Sequence, residues 1–483
     1  FANPGSAVYR LNIANKEVPV MMLSYLGALK TWIFASFSSA FRPFFAAVRV
    51  PMLVVGALTL VLFILLVEGA HGRRAAIVAG VLLTTDTMFL MTTCFDWGPV
   101  ALQHFLMVAG MLLILKSRFF WGFFAFGLGM WDKALFSWML AGLVVATVCI
   151  FRRELWLRFT LKSVSLAVAG FCVGALPLIV YNVASGGATF RSNSALDFSQ
   201  FRIKARALQT TWNGSALFGY IANNPDAGSP RDAEGTLERT SFALHSVVGD
   251  RRQNWLEGGL GVALLLMLWL RRRALLFCLV AMAVAWVLMA ITKGAGIAVH
   301  HAVLLWPIPH LFLAVAFAEA SLRWKRAGTW VLAAGVAILA VGNLMVSNQY
   351  LYQLARYGGA GSWTDAIYPL STVAGRMPAE HVVVDDWGIL GPLQLLHEGK
   401  LPLVWAGEQF LAAGSSEAQK NWDRGLLERG LWLGHTAAYE QFRGSTEHVV
   451  ARAAAAGFRK ELVQVVADRN GRAVFEVFRF RVN

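Results

Sequence analysis

The chain has 483 residues, of which 57% are hydrophobic and only 15% are charged. Globular proteins carry about 25% charged residues, and the deficit here is concentrated in apolar runs of about 14–22 residues between Val48 and Ser347. This pattern excludes one large soluble core and predicts a polytopic α-helical membrane protein. The net charge of +15 does not predict a nucleic-acid partner, because much of the Lys and Arg lies in short loops where membrane topology requires basic residues.

The apolar runs predict about ten membrane spans. We place them at residues 48–68, 76–93, 98–116, 119–131, 135–151, 163–182, 257–270, 274–292, 302–320 and 328–346. Every second loop is basic: Arg73-Arg74, Lys116 with Arg118, Arg152-Arg153 through Lys162, Arg271-Arg272-Arg273, and Arg323 with Lys325-Arg326. Basic loops face the cytoplasm, so the alternation supports the count and predicts the orientation. We expect one further span before Phe1, about eleven in total.

The other face of the membrane is predicted to carry the remaining segments. These are residues 1–47, the turns at Asp96 and at Asp132-Lys133, a long loop at 183–256, the turn before His300-His301, and the tail from residue 348. We therefore divide the chain into a membrane domain, 1–347, and an extracytoplasmic domain, 348–483.

Three of these external segments have predicted structure of their own. The aromatic, amphiphilic segment from Val20 to Phe41 predicts one or two helices lying in the interface plane. Residues 183–256 predict a partly helical loop. The tail predicts an α/β domain with a strand starting at His381, a second strand at 401–405, a helix at 437–456 and a hairpin of 462–467 with 473–480.

The cysteines and possible metal ligands are sparse. Cys94, Cys149, Cys172 and Cys278 lie in or at the edge of apolar runs, and the sequence has no CxxC pair. We expect free, buried thiols, with neither a disulfide framework nor a zinc site. Carboxylates with His can hold a divalent metal ion, but no spacing in the sequence specifies one, and no P-loop or dinucleotide motif follows a predicted strand.

Polar side chains occupy every short connection on the predicted external face. The set comprises Glu17, Asp96, Asp132, Lys133, His300 and His301. A site that deprotonates an acceptor and holds an anionic phosphate needs a carboxylate base together with cationic or imidazole donors. The sequence therefore predicts a site of this kind at the depth of the membrane surface.

Each member of this set also has a purely structural interpretation. Asp96, before Gly98-Pro99, can cap the helix that starts near Gly98. Asp132-Lys133 can be an interfacial pair with a snorkelling lysine. The two histidines can be interfacial hydrogen-bonding groups, and Glu17 can be an ordinary loop acid.

Two further acidic features stand outside this set. Asp86 lies in the middle of a predicted span, and a buried carboxylate there is expected to face a cavity or a partner, unless it lies near the outer end of a tilted or broken helix. In the tail, Asp385-Asp386 fits a turn at the end of a strand better than it fits a sugar or metal site.

Four stretches of sequence carry a resemblance to a known family. They are Pro19–Trp32, Asp96–Gln103, Gly127–Lys133, and His300-His301 leading to Pro307-Ile308-Pro309. With the order of spans and external segments, they resemble the GT-C superfamily of polyprenyl-phosphate-sugar-dependent glycosyltransferases. Within it, the bacterial protein-O-mannosyltransferase-like and aminoarabinose-transferase-like proteins are the most similar branch. The resemblance covers about residues 15–346.

The resemblance implies an enzyme that transfers a sugar from a polyprenyl-phosphate donor to a protein, lipid or glycan acceptor. The reaction would be direct displacement at the anomeric carbon, with the lipid phosphate as leaving group. The implied partners are the donor, membrane lipids, the acceptor and a further subunit of a membrane complex. The implied location is the bacterial inner membrane, with the long loops and the tail in the periplasm.

The resemblance also implies roles for particular residues. Asp96 and Glu17 match the placement of the acid that activates or orients the acceptor, although the family's acid often follows the first span, in sequence that we expect upstream of Phe1. The implied donor-site residues are Lys133 at the lipid phosphate, His300 and His301 in place of an Arg or Tyr, and, with them, Lys30 and Asp132.

Two other functions stay open at this point. A secondary transporter would carry polar groups near mid-membrane in both halves of the chain, together with an internal repeat. A non-catalytic structural subunit would keep the same scaffold without transferring a sugar.

Overall fold

The computed structural model describes residues 7–13, 15–38, 45–158, 160–225, 229–407, 410–412 and 415–482. Within these ranges the chain is mostly helical and contains two sheets, one near each end of the sequence. The apolar helices between the sheets share one large core.

The first sheet corrects a prediction. Its antiparallel strands are β1 (Tyr9–Ile13), β2 (Lys16–Leu23) and β3 (Leu26–Gly27), and helix α1 spans Leu29–Ser38. The expected interfacial helices from Val20 onward are therefore wrong as far as residue 28, and residues 39–41 lie outside the described ranges. Strand β2 forms because its apolar run pairs with β1 and buries Val20 against Trp131; short apolar runs do not distinguish helix from strand by periodicity.

Eight helices follow in chain order. They are α2 (Phe45–Thr85), α3 (Thr87–Cys94), α4 (Val100–Leu115), α5 (Phe119–Asp132), α6 (Phe136–Ile150), α7 (Arg152–Arg158), α8 (Leu161–Gly174) and α9 (Leu176–Ala184).

Helix α2 is two antiparallel arms joined at Gly72. Gly72 has a non-helical backbone, with φ 80° and ψ 170°. A Cβ on Gly80 would lie 2.9 Å from Ile64 Cδ1, an approach that a straight helix with a 1.5 Å rise per residue excludes for residues so far apart in sequence. The chain therefore reverses at Gly72, beside the predicted basic loop Arg73-Arg74.

The long loop after α9 is partly helical, as expected. It contains α10 (Ala188–Asn193), α11 (Phe201–Trp212) and α12 (Thr236–Val248). Five more helices complete the membrane half: α13 (Leu256–Leu270), α14 (Arg273–Ile291), α15 (Val299–Ala302), α16 (Ile308–Arg323) and α17 (Lys325–Tyr357).

Every predicted span is largely helical, with breaks at Asp86, Ala175 and Trp306-Pro307, and the chain is a multi-pass membrane protein. Among the described residues, four helical segments are long and apolar enough to cross a bilayer: Ala46–Thr85, Arg273–Ile291, Val299–Arg323 and Lys325–Tyr357. Helices α8 and α9, bent by 65°, form a further candidate, and Val100–Leu115, Phe136–Ile150 and Leu256–Leu270 are shorter apolar helices. The count of ten spans remains a prediction.

Small residues let the helix that carries Asp132-Lys133 pack closely on its neighbour. A Cβ on Gly127 of α5 would lie 2.3 Å from the Phe171 carbonyl oxygen of α8, and one on Gly170 of α8 would lie 2.1 Å from the Phe120 carbonyl oxygen. Only glycine fits at such contacts, as is common between membrane helices. The end of α5 is thereby held in a fixed position.

The four cysteines are free, as expected, but only Cys278 is buried. The expectation of buried thiols is wrong for Cys94, Cys149 and Cys172, which are exposed at the protein surface.

The tail contains the second sheet. Its elements are α18 (Ile367–Arg376), β4 (His381–Val384), α19 (Leu390–Leu396), β5 (Leu403–Trp405), α20 (Glu417–Arg429), β6 (Gly430–His435), α21 (Ser445–Ala455), β7 (Phe458–Ala467) and β8 (Ala473–Val482). The strand order is β5-β4-β6-β8-β7, with β5, β4 and β6 parallel and the rest antiparallel.

Both faces of this sheet are covered by helices. Val382 and Val384 pack with Leu393 of α19, whereas Val383 packs with Leu427 of α20 and Val449 of α21. This alternation follows from the two-residue repeat of a strand. The tail is thus an α/β sheet structure with its own two cores.

The tail differs from its prediction at two points. The helix expected at 437–456 starts only at Ser445, because residues 436–444 form a turn bonded to Asp386. Strand β6 and helices α18 to α20 were not predicted. Helix α17 continues to Tyr357, and the division into two domains at about residue 348 stays a prediction.

Candidate functional site

The turn that carries Asp96 joins α3 to α4 and has an unusual backbone. Asp96 and Gly98 both adopt positive φ angles, 54° and 59°, a conformation that Asp tolerates better than most residues and Gly adopts freely. The N-cap residue of α4 is Pro99, and it makes no side-chain cap hydrogen bond. Asp96 is therefore not a helix cap, and its carboxylate is used elsewhere.

The partner of Asp96 is Lys30, from helix α1. The Lys30 ammonium donates to Asp96 Oδ1 and also to the Gly98 carbonyl oxygen at 3.1 Å. Both side chains are largely buried, and Arg49 places a second positive charge near the carboxylate. Burial raises the pKa of Asp96 above its usual value, although the charges of Lys30 and Arg49 act in the opposite direction.

Asp132 and Lys133 lie at the end of α5, buried to 1% and 3% exposure. The backbone around them is fixed, because Gln103 Nε2 donates to the Lys133 carbonyl oxygen at 3.1 Å and the Ala134 N–H donates to Tyr25 O at 2.9 Å. This burial excludes a snorkelling lysine. The Asp132 Oδ2 atom has no hydrogen-bond partner within the described part of the chain.

The Lys133 ammonium has neither a hydrogen bond nor an ion pair within 4.0 Å to any described residue. Asp132 acts on it electrostatically without touching it. Lys30 acts on Asp132 in the same way, so the two lysines and the two acids belong to one electrostatic cluster. The cluster thus combines an unsatisfied cation with an unsatisfied carboxylate oxygen.

The histidine pair lies in the short helix α15. The Gly296 N–H donates to His301 Nδ1 at 3.2 Å, which places the proton of a neutral His301 ring on Nε2. His300 Nδ1 is buried without a partner among the described residues. The His300 ring stacks on Trp97 of the Asp96 turn, with ring centroids 6.2 Å apart, and Lys133 acts electrostatically on both histidines.

Six of the seven residues singled out in the sequence therefore lie in one region. They are Lys30, Asp96, Asp132, Lys133, His300 and His301. Glu17 does not join them: its side chain is 57% exposed on β2 and accepts a hydrogen bond from Arg10 at 2.9 Å. Glu17 thus lies on a strand and not in the loop that its purely structural interpretation assumed.

Sequence reasoning missed three contributors to the region. Arg49 lies at the start of the first apolar run, where a charged residue is itself a signal. Lys204 of α11 donates to the carbonyl oxygens of Ala290 and Thr292 at 2.8 and 2.6 Å, which caps the end of α14. Trp363 comes from the tail and packs on Trp97 with centroids 5.5 Å apart; no local pattern predicts these last two contacts.

Asp86 belongs to a different, internal cluster. Its carboxylate accepts from the Phe89 N–H at 2.7 Å and the Trp306 Nε1–H at 2.9 Å, and its Oδ2 lies 3.2 Å from His310 Nε2. The expectation that a buried carboxylate finds partners is met. Asp86 caps α3 and ties it to the region where α16 begins, so its role is structural.

No three His, Cys, Asp or Glu side chains within the described ranges lie close enough together to hold a metal ion. The region contributes carboxylates, ammonium and guanidinium groups, and imidazoles. Such groups can neutralise an anion and accept a proton.

Comparisons with known proteins identify the fold. No protein-family model and no curated protein matches the sequence. A crystal structure of ArnT from Cupriavidus metallidurans bound to undecaprenyl phosphate matches with a TM-score of 0.52 and 13% identity, covering 93% of this chain and 87% of that chain. The apo structure of the same ArnT matches with a TM-score of 0.50 at the same identity and coverage.

ArnT is an aminoarabinose transferase of the GT-C type, and the match extends over nearly the whole of both chains. The similarity includes the tail, which the resemblance found in the sequence did not reach. This chain therefore has the same fold as ArnT.

Proposed function

We propose that the protein transfers a sugar from a polyprenyl-phosphate donor to an acceptor, at the membrane face where Asp96 and Lys133 lie. The observation that carries this proposal is Lys133, a residue that is 3% exposed and whose ammonium has no hydrogen-bond partner among the described residues. A buried charge is costly unless an opposite charge compensates it. A lipid phosphate supplies that charge, and ArnT, which has the same fold, binds undecaprenyl phosphate.

The donor phosphate is proposed to lie between Lys133 and His300. The ammonium supplies positive charge, and the unpartnered ring nitrogen of His300 donates a hydrogen bond when it carries the proton. In the transition state negative charge grows on the leaving phosphate, so fixed donors at this position lower the barrier. Asp132 holds the ammonium in place electrostatically.

Asp96 is proposed to accept the proton of the acceptor. Lys30 occupies Oδ1, which leaves Oδ2 for an acceptor hydroxyl or amine. As the acceptor atom bonds to the anomeric carbon, the bond from that carbon to the phosphate oxygen breaks, and polyprenyl phosphate leaves. The acceptor proton passes to Asp96, whose raised pKa makes it a better proton acceptor than an exposed carboxylate.

The alternating basic loops support the proposed orientation. By the positive-inside rule they favour a position outside the cytoplasm for the loop at 183–256 and for the tail, so transfer is proposed to occur on the periplasmic face of a bacterial inner membrane. The acceptor is a protein, lipid or glycan that reaches this face. The division into domains at about residue 348 belongs to the same proposal.

A transfer assay with two matched acid variants tests this function. The full chain is assayed in membranes with undecaprenyl-phosphate mannose and undecaprenyl-phosphate aminoarabinose as donor probes. We expect Asp96→Asn to lower transfer about 10²- to 10⁴-fold, the usual contribution of a general base, and Glu17→Gln to leave it unchanged. Full activity of Asp96→Asn would contradict the role of Asp96. A wild-type chain that binds polyprenyl phosphate but transfers neither sugar would favour the non-catalytic subunit.

A further inference from the structure

A large open cleft lies in the tail, away from the membrane cluster. Its volume is about 1140 Å³, and it lies beyond the carboxyl ends of strands β4 and β5. Strand β4 is central, with β5 on one side and β6 on the other, and the connecting helices α19 and α20 pack on opposite faces of the sheet. Strand β4 is thus the point at which the order of the strands in the sheet reverses, and ligands of open α/β sheets bind at such points.

The floor of this cleft is Asp385, the first residue after β4. Its side chain is 3% exposed, and neither carboxyl oxygen has a hydrogen-bond partner of good geometry among the described residues. Burial is the main influence on the pKa of Asp385 and raises it, whereas the nearby Thr446 hydroxyl and the charge of Lys460 act in the opposite direction. The space for the carboxyl group is provided by Gly434 of β6, where a Cβ would lie 2.5 Å from Asp385 Oδ1.

The neighbouring acid shows that this lack of partners is specific to Asp385. Asp386 accepts hydrogen bonds from the N–H groups of Trp387, Gln441 and Phe442 at 2.8, 2.8 and 3.1 Å, and its Oδ2 lies 2.8 Å from His435 Nδ1. Asp386 therefore serves the turn at the end of the strand. Asp385 has no such structural role. Because buried polar groups are normally hydrogen-bonded, a buried carboxylate without a partner indicates a binding site for a ligand.

Further unsatisfied donors and acceptors surround the carboxyl group. The Ser445 and Thr446 hydroxyls at the start of α21 are buried and have no hydrogen-bond partner in the described part of the chain, and Ser445 lines the cleft. Hydroxyls both donate and accept, so the floor of the cleft can bind groups of either kind.

The walls of the cleft are aromatic. Trp405, Trp422 and Phe442 line it and are 46%, 48% and 57% exposed. Large exposed apolar side chains gathered around a few polar groups are typical of a ligand site. Flat aromatic faces pack against the C–H faces of sugar rings, while sugar hydroxyls are hydrogen-bond donors that a carboxylate accepts.

The charge at the floor of the cleft argues against a phosphate group at that point. Acids and bases both line the cleft, as Asp385 and Asp423 and as Arg443, His448 and Arg452, but Asp385 is the residue that occupies the position at the strand end where a nucleotide site places its glycine-rich, phosphate-binding turn. The guanidinium of Arg452 already donates to the Phe410 carbonyl oxygen. An uncharged ligand with many hydroxyls satisfies the floor without bringing a second negative charge to it.

We propose that this cleft binds a neutral oligosaccharide, whose hydroxyls donate to Asp385 and whose ring faces pack on Trp405 and Trp422. This site is separate from the cluster at Asp96 and Lys133, and the proposal does not depend on the transfer reaction. Its volume accommodates a ligand of several sugar rings, since drug-sized ligands occupy pockets of about 300–1,000 Å³.

Binding to the full chain tests the proposal directly. The protein is purified in a detergent without a sugar headgroup, because a maltoside would compete for the cleft. Linear tetrasaccharides of glucose, mannose, galactose and N-acetylglucosamine serve as probes, with sorbitol and AMP as controls, and saturation-transfer NMR with calorimetry measures binding. We expect saturable binding of at least one tetrasaccharide and none of either control.

Variants locate the binding within the cleft. Asp385→Asn and Trp422→Ala are expected to weaken the affinity about tenfold or more, the effect of about 1.4 kcal/mol. Trp387→Ala is the matched control, since Trp387 is 54% exposed in the same domain but does not line the cleft. Lys133→Met should also leave saccharide binding unchanged, which separates this proposal from the transfer function.

Three results would overturn the proposal. They are a complete absence of binding by all four tetrasaccharides, equal binding by wild type and Trp422→Ala, and binding of AMP that excludes the saccharide. Trp422 is half exposed, so its replacement does not empty a core position. It therefore remains informative if Asp385→Asn fails to fold.

Discussion

Replacing Lys133 by Met should weaken the binding of undecaprenyl phosphate without affecting the binding of undecaprenol, which lacks the phosphate. Lys133 is a buried residue with no ion pair within 4.0 Å to a described residue, so we expect the phosphate to contact its ammonium directly. A hydrogen bond to a charged group contributes about 1.5–3 kcal/mol, which corresponds to about a 10- to 150-fold change in affinity. Removing the cation also leaves Asp132 close to the phosphate, which adds repulsion.

Native mass spectrometry of the purified full chain, with each lipid titrated separately, measures both affinities. Lys116→Met is the matched control, since Lys116 is an exposed basic residue of a predicted cytoplasmic loop. It should change neither affinity beyond the weak, salt-dependent attraction of any exposed cation. The reasoning is refuted if Lys133→Met weakens both lipids equally, or if it weakens neither of them.

Three further predictions concern titration and stability. Asp96 must be deprotonated to accept a proton, and burial raises its pKa. The rate of transfer should therefore fall on the acid side of the pH profile at a pH above the ordinary carboxyl pKa of about 4. Asp96→Asn should remove this acid limb. Asp386→Ala removes a buried carboxylate bonded to His435 and three backbone N–H groups, and should lower the local unfolding free energy of β4 and β6 by about 3–5 kcal/mol, measured by hydrogen exchange. Burial raises the pKa of Asp385 to about 7, above its unfolded value. Its contribution to the free energy of unfolding is therefore lost as the pH rises from about 4 to 7, by roughly 4 kcal/mol at most. The wild type should melt at a lower temperature at pH 8 than at pH 5, and Asp385→Asn should reduce that difference.

The helical half of the fold follows from the sequence because long apolar runs have one stable solution in a bilayer. Each run predicted a helix, and Gly72 broke α2 beside the expected basic turn. The strand at Val20 was mistaken for helix because a short apolar run has no distinguishing period. Strand β6 was missed for a related reason: all its residues are buried, so it lacks the alternation that marks a half-exposed strand.

The residues of the candidate site were found through their unusual chemistry at span ends rather than through spacing. Asp96 and Lys133 stand out as charges beside apolar runs. Their arrangement was not predictable, because Lys30 and Asp96 are 66 positions apart and meet only when α1 packs beside the turn. Arg49 and Trp363 enter the region for the same reason. In the tail, the sequence identified Asp385-Asp386 as a strand-end turn. Only the hydrogen bonds in the structure distinguish Asp386, which the turn uses, from Asp385, which has no partner among the described residues.

The central claim is that a polyprenyl phosphate binds at the cluster of Lys133 and His300. A cryo-EM structure of the full chain with undecaprenyl phosphate tests it most directly. The proposal predicts phosphate density within hydrogen-bond distance of Lys133 Nζ, about 2.7–3.2 Å from nitrogen to phosphate oxygen, with His300 as a second contact. Phosphate density only at the basic loops of the opposite face, or a Lys133 ammonium that stays without an anion in the lipid-bound protein, would contradict it.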